Sequence, residues 1–324
     1  MILDIYFPKF ADYLVRGQAS PALSKLAAIG SWRVDTAHSI YASLCQQLGL
    51  VKQHDWPLAA LARLGEGRAL EDGAYFLVHP AHFVLQRDHF TLGEALQLKP
   101  EEAAAILKSL NAHFAQDGFC FEQSANEPYW YLHSPQSLNV QTRLLAEVQR
   151  RDVRGFMPQG VDAMRLQSMM NQAQMLLHEH PVNQAREQAG ELMVNSIWID
   201  GGGQLPELTL KNTSPQDTSP FRLFAQHAVA KGWGVLASCS CDALPKRLLD
   251  LPAENALLLL DDAAGLDNVW FEALLQTIKH AHFKTLRCHF DVHGFTFTLT
   301  VLSKDRWKFW RKTRPIVTYF KQAD

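Results

Sequence analysis

The sequence predicts an α/β fold: a largely parallel sheet flanked by helices, with an inserted α+β lobe and an antiparallel edge hairpin. Three observations carry this. Strand-like and helix-like segments alternate through the last third of the chain. Within them, ALLLL at 256–260 is a continuous apolar run, as a strand buried on both faces requires. Lastly, KTLRCHF and FTFTLTVL flank a DVHG turn, the pattern of two paired antiparallel strands. A chain of 324 residues, 47% hydrophobic and 20% charged, can bury a core for such a sheet and for a second lobe.

Along the chain, MILDIYF reads as an opening strand and 36–48 as a helix capped by Asp35. WPLAALARLGEG reads as a short helix closed by glycine. From Gly73 the character changes. AYFLVHPAHFVLQRDHFTL reads as two strands interrupted at His79-Pro80. KPEEAAAILKSLNAHFAQDG is a helix, with Pro100 near its start, early glutamates and a terminal glycine. FCFEQ and YWYLHS alternate as paired strands around SANEP. A polar, basic section leads into a long helix over 162–180, whose apolar face runs through Met164, Leu166, Met170, Ala173 and Leu177. NSIWID is a strand and LKNTSPQDTSPF a loop; then come a helix over 220–231, a strand GVLA, the ALLLL strand and a helix over 266–283. The expected organisation is an α/β core of residues 1–73 and 174–324, with 74–173 as the inserted lobe.

Composition narrows the function classes. A net charge of −2 argues against broad nucleic-acid binding. From Ser303 to Asp324, however, seven Lys or Arg stand against two Asp, and RWKFWRKTRP interleaves Trp307, Phe309 and Trp310 with basic residues. That pattern either docks its aromatics on the core or makes a weak contact with an anionic surface through residues 303–324. MILDIYFPKF lacks the features of a signal peptide, and no apolar run approaches a bilayer's thickness, so the expected compartment is cytoplasmic. Five scattered cysteines argue against a disulfide framework, and Cys239-Ser-Cys241 is too closely spaced for the usual zinc or redox pair. His79, His82 and His89 lie in one strand region, but alternation separates their faces. There is no Walker A loop, no Gly-x-Ser-x-Gly elbow and no dinucleotide fingerprint.

The densest chemistry is HPVNQAREQAGELMVNSIWIDGGG, residues 180–203. Pro181 starts a new helix, on which Asn183 and Arg186 lie about one turn apart. With His180 and Asn195 they could bind a phosphate or carboxylate, and Gly201 and Gly202 would let backbone amides approach it. The alternative is a polar lobe junction, in which Arg186 and Asn195 hold backbone carbonyls.

This stretch closely resembles a signature of the archaeal-type cofactor-independent phosphoglycerate mutases, members of the alkaline-phosphatase-like superfamily. It also resembles a shorter bacterial group related to them, the RpfE-type regulatory proteins. The resemblance is strong over 174–203, looser over 74–133 and weak elsewhere. It implies a reduced alkaline-phosphatase-like core. The mutases use two divalent metals and a nucleophilic Ser or Thr, with an Asp-Gly motif after the first strand. Here that strand leads into FPKFADYL, with Asp4 inside it; LLLLDDAAGLD offers Asp261 and Asp262 as weak metal candidates. A di-metal site needs about six to eight converging ligands. The expectation is therefore a catalytically degenerate relative with no cofactor, regulating or binding a small phosphorylated or acidic ligand or a protein partner. Two alternatives stand beside it: a manganese- or zinc-dependent phosphoglycerate mutase or phosphatase, and a docking module acting through its tail.

Overall fold

The computed structural model describes residues 1–15, 20–35, 39–86, 89–149, 151–205, 221–252, 254–260, 268–280, 283–308 and 310–320. The chain divides into two compact units. One comprises Met1–Gly49, Thr209–Ala230 and Ala237–Asp324; the other comprises Leu50–Leu208 and Lys231–Leu236. In chain order the elements are β1 (Ile2–Phe7), α1 (Phe10–Val15), α2 (Pro21–Ile29), β2 (Ser31–Asp35), α3 (Ile40–Gln47), α4 (Leu58–Gly65), β3 (Ala74–Gln86), β4 (His89–Ala95), α5 (Pro100–Phe114), β5 (Cys120–Gln123) and β6 (Trp130–Ser134). They continue with α6 (Leu145–Val148), α7 (Ala163–His178), α8 (Pro181–Gln188), β7 (Ser196–Asp200), β8 (Phe221–Ala225), α9 (Ala228–Leu236), β9 (Cys241–Asp242), β10 (Asn255–Leu259), α10 (Asn268–Lys279), β11 (Thr285–Val292) and β12 (Phe295–Leu302).

The first unit is built on a seven-stranded sheet of order β2-β12-β11-β1-β10-β8-β9. Its β11-β1-β10-β8-β9 part is parallel, and β12 and β2 add an antiparallel edge. The hairpin joining β11 to β12 turns at His293 and Gly294, both at positive φ, as the twist of a tight hairpin requires. Period-two alternation sorts the strands' side chains. Leu3, Ile5 and Phe7 of β1 join Leu286, Phe290, Phe297 and Leu258 in a core with Phe10, Leu23, Leu26, Phe271 and Leu274 of the helices. The opposite face carries Asp4, which accepts from Arg287 Nε at 2.5 Å and Nη2 at 2.8 Å and lies 3.4 Å from His289 Nε2. Burial would raise the Asp4 carboxyl, but hydrogen bonds from His289 and Arg287 outweigh it and hold the group below its usual range.

Two segments differ from the sequence reading here. Residues 31–35 form edge strand β2, and Ser39, not Asp35, caps α3 by accepting from Ala42 N. At 220–237 the order is inverted: FRLFA is a strand, paired in parallel with β10, and GVL belongs to α9. Leu223, Phe224 and Ala225 are buried in the sheet, whereas Gly234 sits within the WGVLA run and weakens it as a strand. The Ser/Pro-rich loop lies outside the described residues, except Phe221.

In the second unit β3 is the axis. It pairs with β6 through Ala74–Val78, with β4 through Ala81–Gln86, and with β7 through Leu77–Ala81, while β5 extends the sheet beyond β6. Since Leu77 and Val78 pair with both β6 and β7, and Ala81 with both β4 and β7, β6 and β4 share one edge of β3 end to end. Pro80 sits at their hand-over. Its carbonyl accepts from Leu96 N, so its missing N–H would also have faced that edge and costs the β7 ladder nothing. The expected break at His79-Pro80 is therefore one continuous strand. Core residues Phe76, Trp130, Leu132 and Trp198 meet Ile106 and Leu110 of α5 and Leu166, Met170 and Leu177 of α7. Met169 replaces Met164 on that apolar face; Met164 is 73% exposed. Because β7 pairs with β3, the NSIWID strand belongs to this antiparallel sheet and not to the parallel core, and the unit reaches past both the 73/74 and 173/174 boundaries.

After β12 the chain returns to the first unit's core. Ile316 and Phe320 are buried, and Phe320 packs within 5.1–5.5 Å of Phe10, Trp32, Phe290 and Phe297. Docking of a tail aromatic on the core is thus made by Phe320, while Trp307 and Trp310 are exposed. Among the described residues no helix is long and apolar enough to cross a membrane.

Phe320→Ala should destabilise the protein by about 3–5 kcal/mol in denaturant unfolding, the range for removing a buried phenyl ring. Val317→Ala, at a position 48% exposed, should change stability by under about 0.5 kcal/mol. Equal effects would mean that the last turn does not dock.

Candidate functional site

The stretch 180–203 folds as its residue types demand. Pro181 lacks an N–H and occupies the first position of α8, where that donor would have no helical partner. His180 is the N-cap: its Nδ1 accepts from Val182 N at 3.2 Å. With Nδ1 accepting, the ring proton resides on Nε2, 3.0 Å from Ser109 Oγ of α5. That tautomer rules His180 out as a base for Ser109, so the Ser–His contact is not a nucleophile pair. Burial holds the His180 imidazole below its ordinary value.

Asn183, one turn into α8, is 1% exposed. Its Nδ2 donates to Leu177 O at 2.7 Å and Val194 O at 2.8 Å, and its Oδ1 accepts from Val194 N at 2.8 Å. The Arg186 guanidinium donates through Nε to Leu192 O at 2.8 Å and through Nη1 to Glu102 at 2.8 Å, with Glu191 3.1 Å away. Glu102 Oε2 also accepts from Lys99 N, closing the N-terminus of α5. Asn195 holds both backbone groups of Phe83, accepting from N at 2.7 Å and donating to O at 2.9 Å, beside the bulge that shifts β3 register between Ala81 and Phe83. Of His180, Asn183, Arg186 and Asn195, no buried nitrogen or oxygen lacks a hydrogen-bond partner.

The glycines are packed rather than open. Gly201 has φ +63°, a conformation that favours glycine, and its carbonyl accepts from Ala59 N. A Cβ on Gly202 would lie 2.0 Å from the Phe76 ring, and one on Gly203 2.2 Å from Asp55 O. The three residues thread between β3 and the start of α4. His180, Asn183 and Arg186 come together around α8; Asn195 works on β3, and Gly201 and Gly202 lie at the far end of β7.

Sequence reasoning missed a polar group at that end. Asp200 accepts from Leu145 N at 2.7 Å and lies 3.3 Å from His79 Nε2. Asp55 accepts from Trp56 N at 2.8 Å, from Thr142 N at 2.9 Å and from the Thr142 hydroxyl. Burial raises the Asp55 carboxyl despite these hydrogen bonds; it raises Glu147 too, where the charges of Asp200 and Asp55 add to the effect. A strand-terminal Asp and an Asp before Trp-Pro were the available signals. Among the described residues, no three His, Cys, Asp or Glu side chains are grouped to hold a metal. Asp261 and Asp262 lie outside the described residues.

Arg186→Ala should cost about 2–5 kcal/mol in equilibrium unfolding, the range for leaving a buried carboxylate partner uncompensated. A loss below about 1 kcal/mol would mean that the internal partners are dispensable. His180 gives a pH signature. The unfolded ring titrates near 6.5 and the folded ring lower, so the cap's contribution is full above about pH 6.5 and is lost as pH falls through the lowered folded value. His180→Asn keeps a capping side chain without the titration, and its stability should fall less steeply below pH 6.5 than that of the wild type. Parallel pH curves for the two proteins would remove the ring from this role.

No family model matches the chain. Over 62 residues, 19% of the chain, it is 32% identical to a probable 2,3-bisphosphoglycerate-independent phosphoglycerate mutase of Geobacter sulfurreducens; the match spans only 16% of that relative's length. Among solved structures, it is similar to a cofactor-independent phosphoglycerate mutase from Thermoplasma acidophilum. The TM-score is 0.40 at 16% identity, covering 93% of this chain and 89% of that one. A protein from Pyrococcus horikoshii gives a TM-score of 0.43 at 13% identity, covering 93% and 87%.

Proposed function

We propose that this chain is a catalytically degenerate phosphoglycerate-mutase-like protein of the RpfE-type regulatory group, acting in the cytoplasm by binding rather than by turnover. The observation that carries the reading is the commitment of the 180–195 side chains. Arg186, the one cation of that constellation, is matched by Glu102 and Glu191 and is not left to meet a substrate phosphate. Two further features support it. The resemblance over 174–203 keeps the HPVN and NSIW residues, while the first strand leads into Phe-Pro-Lys instead of Asp-Gly. Within that strand, Asp4 is bound through both oxygens by Arg287.

The metal-dependent mutase or phosphatase remains the second reading, and one observation favours it. Leu260 donates its N–H to Tyr6 O of the adjacent β1, which carries a central parallel strand up to the residue that precedes Asp261 and Asp262 in sequence. Ligands of open α/β sheets gather outside the carboxyl ends of such strands. The residues that would hold manganese or zinc there are Asp261 and Asp262, and the metal would supply Lewis-acid activation of a phosphoryl oxygen.

Interconversion of 2- and 3-phosphoglycerate should be undetectable with added manganese, magnesium or zinc. Turnover that a chelator or Asp261→Ala abolishes would establish the enzyme instead. In parallel, 3-phosphoglycerate should leave the melting temperature of the wild type unchanged if the HPVN constellation is structural. A rise in the wild type that Arg186→Ala loses would restore it as an anion pocket.

A further inference from the structure

The segment after β12 holds more basic side chains than the fold uses. Between Ser303 and Phe320 there are six Lys or Arg and a single Asp. That Asp, Asp305, is buried, accepts from Leu302 N at 2.8 Å and pairs with Lys308 at 2.7 Å. Two of the cations have a structural task. Lys308 Nζ reaches Ile29 O at 3.5 Å and Arg311 Nη1 reaches Ala28 O at 3.3 Å, at the C-terminus of α2, a helix with no basic residue in its own last turn. Lys304, Lys312 and Arg314 are exposed, and no carboxylate pairs with them among the described residues.

Two large aromatics accompany these charges. Trp307 is 62% exposed and Trp310 67% exposed, unlike the buried Trp130 and Trp198. The stretch carrying them is tied down at both ends, by β12 before it and by buried Ile316 and Phe320 after it. Their exposure therefore lies between two anchored segments.

We propose that this stretch, residues 304–308 with 310–314, seats the protein on an anionic phospholipid surface. Lys304, Lys312 and Arg314 would meet lipid phosphates and carboxylates, and Trp307 and Trp310 would enter the headgroup region. Indole rings favour that region because an apolar body and a polar N–H are both accommodated there. A single-stranded nucleic acid is less well served. Stacking platforms need open ring faces, and the Arg306 guanidinium lies 5.0 Å from the Trp307 ring centroid, over one of them.

The test uses the full chain and vesicles of phosphatidylcholine with or without phosphatidylserine. Co-sedimentation should require phosphatidylserine and weaken as salt shortens the Debye length from about 10 Å at 0.1 M to about 3 Å at 1 M. Lys312→Glu with Arg314→Glu should lower vesicle affinity by about tenfold or more. Trp307→Ala with Trp310→Ala should weaken binding and abolish quenching of tryptophan fluorescence by brominated lipid. All four positions are exposed, and an unchanged melting temperature confirms folding of each variant. Equal partitioning to neutral and anionic vesicles, variants that bind as the wild type does, or a preference for a single-stranded oligonucleotide over vesicles would each overturn the proposal.

Discussion

The Asn183 carboxamide is the constraint on which the second unit's helical layer depends. It joins the last turn of α7, through Leu177 O, to the residue that leads into β7, through both backbone groups of Val194. Those groups are buried, where unpaired backbone is costly. The connection over residues 179–195 thereby leaves one helix, makes a second and enters the sheet, and none of its buried side-chain nitrogens or oxygens lacks a hydrogen-bond partner. Pro181 and His180 set where α8 starts; Arg186 then fixes its other end to Leu192 O and, through Glu102, to the start of α5. A single short helix thus locks α5, α7 and β7 into one register, and the side chains that do so are those that look like chemistry in the sequence.

The first unit solves a comparable problem with charge. A parallel strand bearing Asp at its centre must bury a carboxylate, and Arg287 and His289 on neighbouring β11 supply the partners at matched register. Tyr6 stacks on His289 at 4.2 Å, and Thr298 of β12 lies 3.0 Å from its other ring nitrogen. Three adjacent strands are thereby cross-linked on the face opposite the phenylalanine-rich core. Such a network adds specificity of register more than net stability, because the desolvation of its charges offsets much of their attraction.

The parallel strand ALLLL, the hairpin around DVHG and the helix of 100–114 were legible because one local pattern, periodicity or turn chemistry, decides each of them. FRLFA was not: a five-residue segment with four apolar residues around one Arg is too short for a period that separates strand from helix, and only its pairing with β10 settles the matter. Pro80 misled for a related reason. Proline argues against a continuous strand unless its missing donor falls where no ladder bond is needed, and that location is set by where β4 and β6 meet on one edge of β3. The residues of the candidate site were also legible as a group, but not their partners. Glu102, Ser109 and Phe83 come from other elements, and nothing in 180–203 names them.

Whether a cluster of His, Asn and Arg serves a ligand or the fold therefore turns on where its acceptors come from. A guanidinium meant for a phosphate must keep donors aimed at open space and be denied carboxylates, since a neighbouring anion competes directly for the same charge. Arg186 has two carboxylates within 3.1 Å and is 7% exposed; an incoming phosphate would have to displace Glu102, which also caps α5, and Leu192 O. The exposed cations beside Trp307 and Trp310 present the opposite case. Lys312 and Arg314 are exposed, as are Trp307 and Trp310 in the same stretch of sequence, while Asp305 is buried and already paired. By that criterion the side chains of the motif richest in suggestive residues are engaged with internal partners, and the tail that composition alone left ambiguous is the better candidate for contact with an anionic surface.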